Sequence, residues 1–147
     1  MKKSFFLLCL ASAFLYSCKP TESNLQVPEV ITKKFNSLYP SVTDLTWEME
    51  DSLFEASFML DTVNTSITFS PDGTPVDVES AIPITSLPAA ITDYTAQQLP
   101  GKSIKGAAMI THADGTVSYE IDVEKRDYFF DGSGQFIKSA GEESEDE

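Results

Sequence analysis

The chain has few of the residues that most often carry catalysis or metal binding. Its 147 residues include one histidine, His112, and two cysteines, Cys9 and Cys18. Zinc sites are built mainly from cysteine and histidine, and the chain has no cluster of either. No G-x-S-x-G turn is present to indicate a serine hydrolase. These shortages predict a protein that is not an enzyme and uses no cofactor, although composition alone leaves a Ser–His–Asp arrangement open.

Basic residues are also scarce. Lysine and arginine together number 10 against 23 acidic residues, which gives a formal net charge of −13. Phosphate backbones are bound by clustered lysine and arginine. The charge balance therefore argues against nucleic acid as a partner.

The first residues have the pattern of a secretion signal. Lys2 and Lys3 precede an apolar run, residues 5–15, that is far shorter than the roughly 20 residues needed to span a bilayer. Leu15-Tyr16-Ser17-Cys18 resembles a bacterial lipobox, in which the cysteine is acylated and becomes the first mature residue. An ordinary signal peptide followed by a chance cysteine is the alternative. We predict a signal peptide over 1–17, lipidation of Cys18, membrane attachment in a bacterial cell envelope and no disulfide.

Composition divides the rest of the chain into three parts. Residues 18–26 read as a polar tether, and residues 27–139 contain the periodic apolar patterns of one folded domain. Residues 140–147 form an acidic tail without the apolar side chains needed to offset the entropy of ordering, so we expect disorder there. Without residues 1–17, eight basic residues face 23 acidic ones, a net charge of −15.

One pattern recurs at an offset of sixty residues. Pro28 and Pro40 bracket an apolar stripe at helical spacing, formed by Ile31, Phe35, Leu38 and Tyr39. Pro88 and Pro100 bracket a second such segment, in which threonine stands at the position equivalent to Phe35 and a tyrosine lies one residue earlier. Proline suits the first turn of a helix and prevents helical geometry in the residue before it. The pattern predicts two equivalent helices that pack slightly differently.

Alternating apolar and polar residues follow each predicted helix. Period-two alternation with one polar face indicates half-buried strands of an antiparallel sheet. We predict an α+β fold of two tandem units, 27–82 and 87–139, each a helix followed by about four strands. The helices would cover one sheet face and leave the other open.

These motifs resemble a known family. Val27-Pro28-x-x-Ile31, Trp47-Glu48, Phe54-Glu55-Ala56-Ser57-Phe58 and the segment from Ile67 to Gly73 look like the PepSY-like, beta-lactamase-inhibitor-like proteins of Gram-negative bacteria. The second unit departs from the pattern at Thr95, and Ala107 stands where the first has Trp47. The resemblance implies a small secreted or lipid-anchored protein with tandem helix-plus-four-strand units, and it implies no particular activity.

The acidic strand residues are the candidate binding residues. Glu48 and Glu50 alternate on one strand beside Trp47, and Glu120, Asp122 and Glu124 alternate on another. We expect Trp47 and these acids to help bind an unidentified envelope protein on the open sheet face. A bound Ca²⁺ or small ligand is the alternative, although no EF-hand pattern is present. Aromatic residues at strand spacing also fit a core, and His112, beside the Asp114-Gly115 turn, fits a surface hydrogen-bonding role.

Overall fold

The structure is a computed structural model that describes residues 25–50 and 52–141. Within them the chain forms a helix and four strands, a short 3₁₀ turn, and a second helix and four strands. The bounds are α1 (Glu29–Leu38), β1 (Leu45–Glu50), β2 (Leu53–Leu60), β3 (Val63–Phe69), β4 (Pro75–Ala81), η1 (Ile84–Ser86), α2 (Ala89–Gln98), β5 (Gly106–His112), β6 (Val117–Val123), β7 (Arg126–Asp131) and β8 (Phe136–Gly141). The predicted α+β class is confirmed.

Both helices begin immediately after a proline. Pro28 and Pro88 have nearly the same backbone angles, φ −55°, ψ 140° and φ −52°, ψ 138°, so each proline sets the entry of its helix. At the end of α1 the backbone N–H of Tyr39 donates a hydrogen bond to the carbonyl of Phe35, and at the end of α2 that of Leu99 donates one to the carbonyl of Thr95. The predicted helix boundaries therefore agree with the structure at both ends.

The strands form one antiparallel sheet in the order β1-β2-β3-β4-β5-β6-β7-β8. Each strand is hydrogen-bonded to the next strand in sequence, and β4 joins the two halves through its pairing with β5, for example Val78 with Thr111 and Ser80 with Met109. Residues paired across strands share a face, and successive residues alternate. The register therefore assigns every strand residue to one of two faces.

Both helices pack on the same face, called here the helix face. In the N-terminal half, a core cluster gathers around α1 and is formed by Ile31, Phe35, Phe54, Ala56, Phe58, Ile67 and Phe69. In the C-terminal half, a smaller cluster gathers around α2 and is formed by Leu87, Ile91, Ile121, Val123 and Phe130. The cross-strand rows from β3 to β6 place both clusters on one side, which leaves the opposite face, the open face, without a helix among the described residues.

Three hairpin turns are stabilised by the same pattern of hydrogen bonds to an aspartate. Asp72, Asp114 and Asp131 each accept a hydrogen bond from a hydroxyl two residues before or after and from a backbone N–H two residues later. Hydrogen bonds from the hydroxyls of Ser70, Thr116 and Ser133, respectively, are the main reason that the pKa of each carboxyl is lowered. These turns set the register of β3–β4, β5–β6 and β7–β8.

The structured region is slightly longer than the sequence predicts at both ends. Strand β8 runs to Gly141, so Ala140 belongs to the sheet rather than to the acidic tail. Leu25, predicted to lie in the tether, packs against the core cluster of the N-terminal half. The predicted signal peptide, Cys18, and the tail beyond Gly141 lie outside the described residues.

Candidate binding surface on the open sheet face

The open face is concave. A single hollow of about 540 Å³ is lined by residues from every strand between β2 and β8: Leu53, Glu55, Ser66, Thr68, Asp77, Glu79, Ile110, Glu120, Asp127, Phe129, Lys138 and Ala140. In a flat sheet, β2 and β8 would lie about 29 Å apart at the usual spacing of neighbouring strands. The sheet therefore curls strongly around this hollow, which we call the trough.

A second hollow adjoins the trough at its β1 side. It measures about 490 Å³ and shares Glu55, Ser66 and Glu79 with the trough. Hydroxyls of Thr46 and Ser57 extend it across β1 and β2. The two hollows together give the open face one continuous recess across the sheet.

The trough combines apolar side chains with an excess of negative charge. Leu53, Ile110 and Phe129 are half-buried in it although no helix of residues 25–141 covers them. Its lining includes five acids, Glu55, Asp77, Glu79, Glu120 and Asp127, and one base, Lys138. The formal charge of the lining is therefore −4 if each acid is ionised.

Like charges face each other twice on this side of the sheet. Glu48 pairs with Glu55 across β1 and β2, and Asp122 pairs with Asp127 across β6 and β7. Burial raises the pKa of Asp127, and the negative charge of Asp122 adds to that rise. Directly opposed like charges destabilise a sheet, so stability alone does not account for this arrangement.

Lys138 lies over the ring of Phe129, with its Nζ 4.9 Å from the ring centroid. The two residues are paired across β7 and β8 on the open face. A cation over an aromatic face is attracted by the negative π-cloud of the ring. The Phe129 ring is thus accessible to a positively charged group inside the trough.

His112 bridges the two halves beside the trough. Its Nδ1 lies 2.6 Å from Oδ1 of Asp77, and its Nε2 lies 2.9 Å from Oγ of Ser118. His112 and Asp77 are about one third exposed. The predicted surface role of His112 is therefore too simple, because the ring is half-buried and both nitrogens have partners.

The Asp77–His112–Ser118 arrangement has the hydrogen-bond order of a catalytic triad. Acyl transfer also needs donors that stabilise an oxyanion. Ser118 is buried near the start of β6, where it is paired with Ile110 of β5 on one side and with Asp131 of β7 on the other. The local geometry fits a structural link between β4, β5 and β6 better than a nucleophile.

The structure places Trp47 on the wrong face for the predicted site. Trp47 is half-buried against Phe35 and Phe69, with ring centroids 5.6 and 6.2 Å away. Period-two alternation puts it opposite to Glu48, which is exposed on the open face. Glu50 ends β1 opposite Leu53.

The three predicted acids of the second unit also separate. Glu120 lines the trough, and Asp122 lies beside it on the same face. Glu124 lies past the end of β6 in a turn, with φ +56°, and forms an exposed ion pair with Lys102. The prediction of one acidic stripe was wrong at Glu124, because the strand ends at Val123.

Sequence reasoning missed the apolar side chains of the trough. Tyr128, Phe129 and Phe130 are three consecutive aromatic residues, so a strand must direct the middle one away from its neighbours. Tyr128 and Phe130 belong to the core, and Phe129 faces the open side. This alternation was a readable signal for Phe129.

Neither metal binding nor membrane spanning has support in the part of the chain that the structure describes. Its histidine and acids form no group of three or more that could hold a metal ion. None of its helices is long and apolar enough to cross a bilayer.

Residues 52–138 match the family described as "Putative beta-lactamase-inhibitor-like, PepSY-like". This match covers more than half of the chain, so the chain belongs to that family, as the sequence motifs predicted. No curated protein matches the chain by sequence.

Solved structures share the fold at low sequence identity. A protein from Bacteroides eggerthii, described as "putative periplasmic", has a TM-score of 0.68 and 16% identity over 79% of this chain and 89% of its own. A DUF2874 family protein from Bacteroides uniformis also has a TM-score of 0.68, with 14% identity over 79% and 90%. A BLIP-like protein from Bacteroides fragilis has a TM-score of 0.63, with 17% identity over 85% and 94%.

Proposed function

We propose that this chain is a non-enzymatic, lipid-anchored protein of the Gram-negative cell envelope that binds another protein with its open sheet face. The observation that carries the proposal is the trough, a hollow that reaches from β2 to β8, has no helix over it in the part of the chain that the structure describes, and contains half-buried apolar side chains. A protein surface that exposes apolar side chains inside a concave, polar-rimmed recess is typical of a binding site.

The comparisons support this proposal without naming a partner. The B. eggerthii relative is described as "putative periplasmic", and the B. fragilis relative is described as BLIP-like. Both descriptions are compatible with a secreted binding module that is lipid-anchored through Cys18. Fold similarity alone does not transfer a target.

We also infer that the two halves of the chain are copies of one unit. The proline-led helices have matching cap geometry at both ends. Gly73 packs against Val30 in the first half, and Gly134 packs against Ala90 in the second. The two helix residues, Val30 and Ala90, are sixty positions apart. A doubled unit would explain how a small helix-plus-sheet motif forms a recess wider than either half alone.

Photo-crosslinking tests the proposed binding surface. A benzoylphenylalanine placed at Phe129, in the trough, is expected to capture a specific protein in native envelopes. The matched control carries the same group at Leu38, which is exposed on α1. Equal adducts from both positions, or none from Phe129, would contradict the proposal.

The lipid anchor has a separate test. The intact mass of the membrane-bound chain should show an acylated Cys18 and no residues 1–17. A Cys18→Ala variant is expected to leave the membrane fraction, and its retention there would contradict lipidation.

A small ligand is the second candidate, since the trough volume lies within the usual range of about 300–1,000 Å³ for small-molecule pockets. Ca²⁺ is the simplest ligand to test, by calorimetry and by the shift of the melting temperature. No heat and no shift would remove the Ca²⁺ form of this candidate.

A further inference from the structure

We propose that the trough binds a basic, extended segment of its protein partner, with a lysine or arginine side chain of that segment over Phe129. This inference rests on the proposed function, because it specifies the chemistry of the partner at the same surface. Three features of the trough carry it: its shape, its apolar floor and its charge.

The shape favours a segment that lies across the strands. The trough is lined from β2 to β8, and the adjoining hollow continues it over β1 and β2. A compact ion or a single small group would contact only a part of this recess. An extended chain that crosses the sheet could contact both ends at once.

The floor suits the stem of a long basic side chain. Leu53, Ile110 and Phe129 offer apolar contacts on β2, β5 and β7, and acids lie beside two of them, because Glu79 pairs with Ile110 and Glu120 pairs with Phe129. Lysine and arginine bury their methylene stems on apolar surface while the charged head remains in a polar setting. An aliphatic residue would use the apolar contacts but would gain nothing from the negative charge of the lining.

A cation–aromatic contact of the proposed kind already exists within the chain. Lys138 holds its ammonium 4.9 Å from the centre of the Phe129 ring. Lys138 is an exposed residue on the last strand, so its side chain can move aside at small cost. A partner's cation would take the same place, and Lys138 is then a competitor for the site.

Charge selects among the possible occupants. The trough lining has a formal charge of −4, and the whole chain has −13. A second copy of this chain or an anionic lipid surface would meet a field of its own sign. A basic segment is attracted at long range, and its binding should weaken as salt screens that attraction.

Selection from a random twelve-residue peptide display library tests the inference while the partner is still unidentified. The immobilised mature chain is expected to enrich sequences rich in arginine and lysine. A synthetic peptide of the enriched sequence is then measured by fluorescence anisotropy at 50, 150 and 500 mM NaCl. Enrichment of neutral or acidic sequences, or of none, would overturn the inference.

Variants with equal charge changes locate the binding. Glu55→Gln and Asp127→Asn each remove one acid of the trough, and each should weaken the peptide about three- to tenfold. Glu29→Gln removes one acid from α1, where Glu29 pairs with Lys33 on the surface, and should change affinity less than twofold. Equal losses for all three would show attraction by net charge alone and would contradict a site in the trough.

Lys138→Gln gives the sharpest result because the inference predicts a gain. Removing the competing cation should strengthen the peptide about two- to fivefold. A loss of affinity would mean that Lys138 itself contacts the ligand, which would overturn the inference. Melting temperatures no lower than that of the wild type would show that the variants remain folded.

The outcomes separate this inference from the proposed function. A partner that crosslinks at Phe129 through a neutral or acidic segment would support the proposed function and overturn the inference. Basic peptides that bind the trough, together with no native adduct at Phe129, would support the chemistry of the site and contradict the proposed function.

Discussion

The two halves of the protein each pack one helix against the sheet, but they do so with different side chains. In the N-terminal half, Phe35 is 1% exposed, and its ring lies between 5.2 and 5.6 Å from those of Tyr39, Trp47 and Phe58. In the C-terminal half, Thr95 occupies the equivalent buried position. The halves therefore share a layout while their cores differ in composition.

The helix of the C-terminal half also contributes an aromatic ring, but from a neighbouring position. Tyr94, one residue before Thr95, stacks on Phe136 at 5.0 Å and meets Phe130 edge-on at 5.2 Å. Phe136 lies on edge strand β8 and is 42% exposed. The aromatic contacts of this half therefore lie nearer to solvent, and we expect this half to be the less stable one.

The largest expected effect comes from the centre of the N-terminal core. Phe35→Ala should lower the free energy of unfolding by about 3–5 kcal/mol, because it removes a buried ring and leaves a cavity. Tyr94→Ala should lower it by less, since Tyr94 is only half-buried. Urea denaturation followed by Trp47 fluorescence and by circular dichroism would measure both changes, and equal losses would contradict the difference between the cores.

Two equivalent turn glycines provide the next comparison. Gly73 and Gly134 have φ +87° and +83°, and a Cβ on either would lie 3.0 Å from a helix side chain, that of Val30 or Ala90. Gly115 also has φ +83°, but its Cβ would meet nothing within 4 Å. Alanine at Gly115 therefore introduces backbone strain alone, whereas alanine at Gly134 adds a steric clash.

We expect a loss of about 1–2 kcal/mol for Gly115→Ala and about 2–4 kcal/mol for Gly134→Ala. Gly73→Ala should lose somewhat less than Gly134→Ala, because Val30 is half exposed and can move. Thermal and urea unfolding would measure these losses. If all three variants lost the same stability, the contact between turn and helix would not contribute.

The helices and the class of fold could be predicted from local signals. Pro28 and Pro88 mark the helix starts, and apolar alternation marks the strands. These signals depend on a few neighbouring residues, so a single sequence contains them. The same local logic fails at Glu124, where the alternation continues in sequence although the chain has left the strand.

The binding surface depends on long-range geometry that local patterns do not contain. Glu55, Glu120 and Lys138 lie far apart in sequence and line one hollow only because the sheet curls. The link from His112 to Asp77 likewise spans 35 residues and depends on the pairing of β4 with β5. Alternation could have assigned Trp47 and Phe129 to their faces, but the curvature that makes the trough was not readable.

A smaller effect is expected from the opposed carboxylates of the C-terminal half. Asp127→Asn should raise the stability at pH 7 by a few tenths of a kcal/mol, because it removes a partly buried charge and its repulsion from Asp122. Since the folded-state pKa of Asp127 is raised, its ionised carboxylate destabilises the fold above that pKa. This penalty disappears as the pH falls through the folded pKa towards the lower unfolded value.

Wild type and Asp127→Asn should therefore converge in stability at low pH and diverge at neutral pH. Melting temperatures measured from pH 3 to pH 8 would show this. Glu48→Gln gives the comparison in the N-terminal half, where the opposed pair is Glu48 and Glu55. If Asp127→Asn lowered stability at pH 7, the carboxylate would be making a favourable contact that outweighs its burial.

The smallest effect is expected at Thr95, where the two cores differ most in chemistry. The Thr95 hydroxyl donates a 3.0 Å hydrogen bond to the Ile91 carbonyl, which also lies within reach of the backbone N–H of Thr95 in the helical ladder. Thr95→Val keeps the shape and leaves no buried group without a partner, so stability should change by less than about 0.5 kcal/mol. Thr95→Ala, the control, should lose more because it opens a cavity. If Thr95→Val lost more than about 1 kcal/mol, the hydroxyl of Thr95 would be needed for the stability of the C-terminal core. If its stability were unchanged, the neighbouring Tyr94 ring, rather than the hydroxyl, would be what distinguishes this half from the N-terminal one.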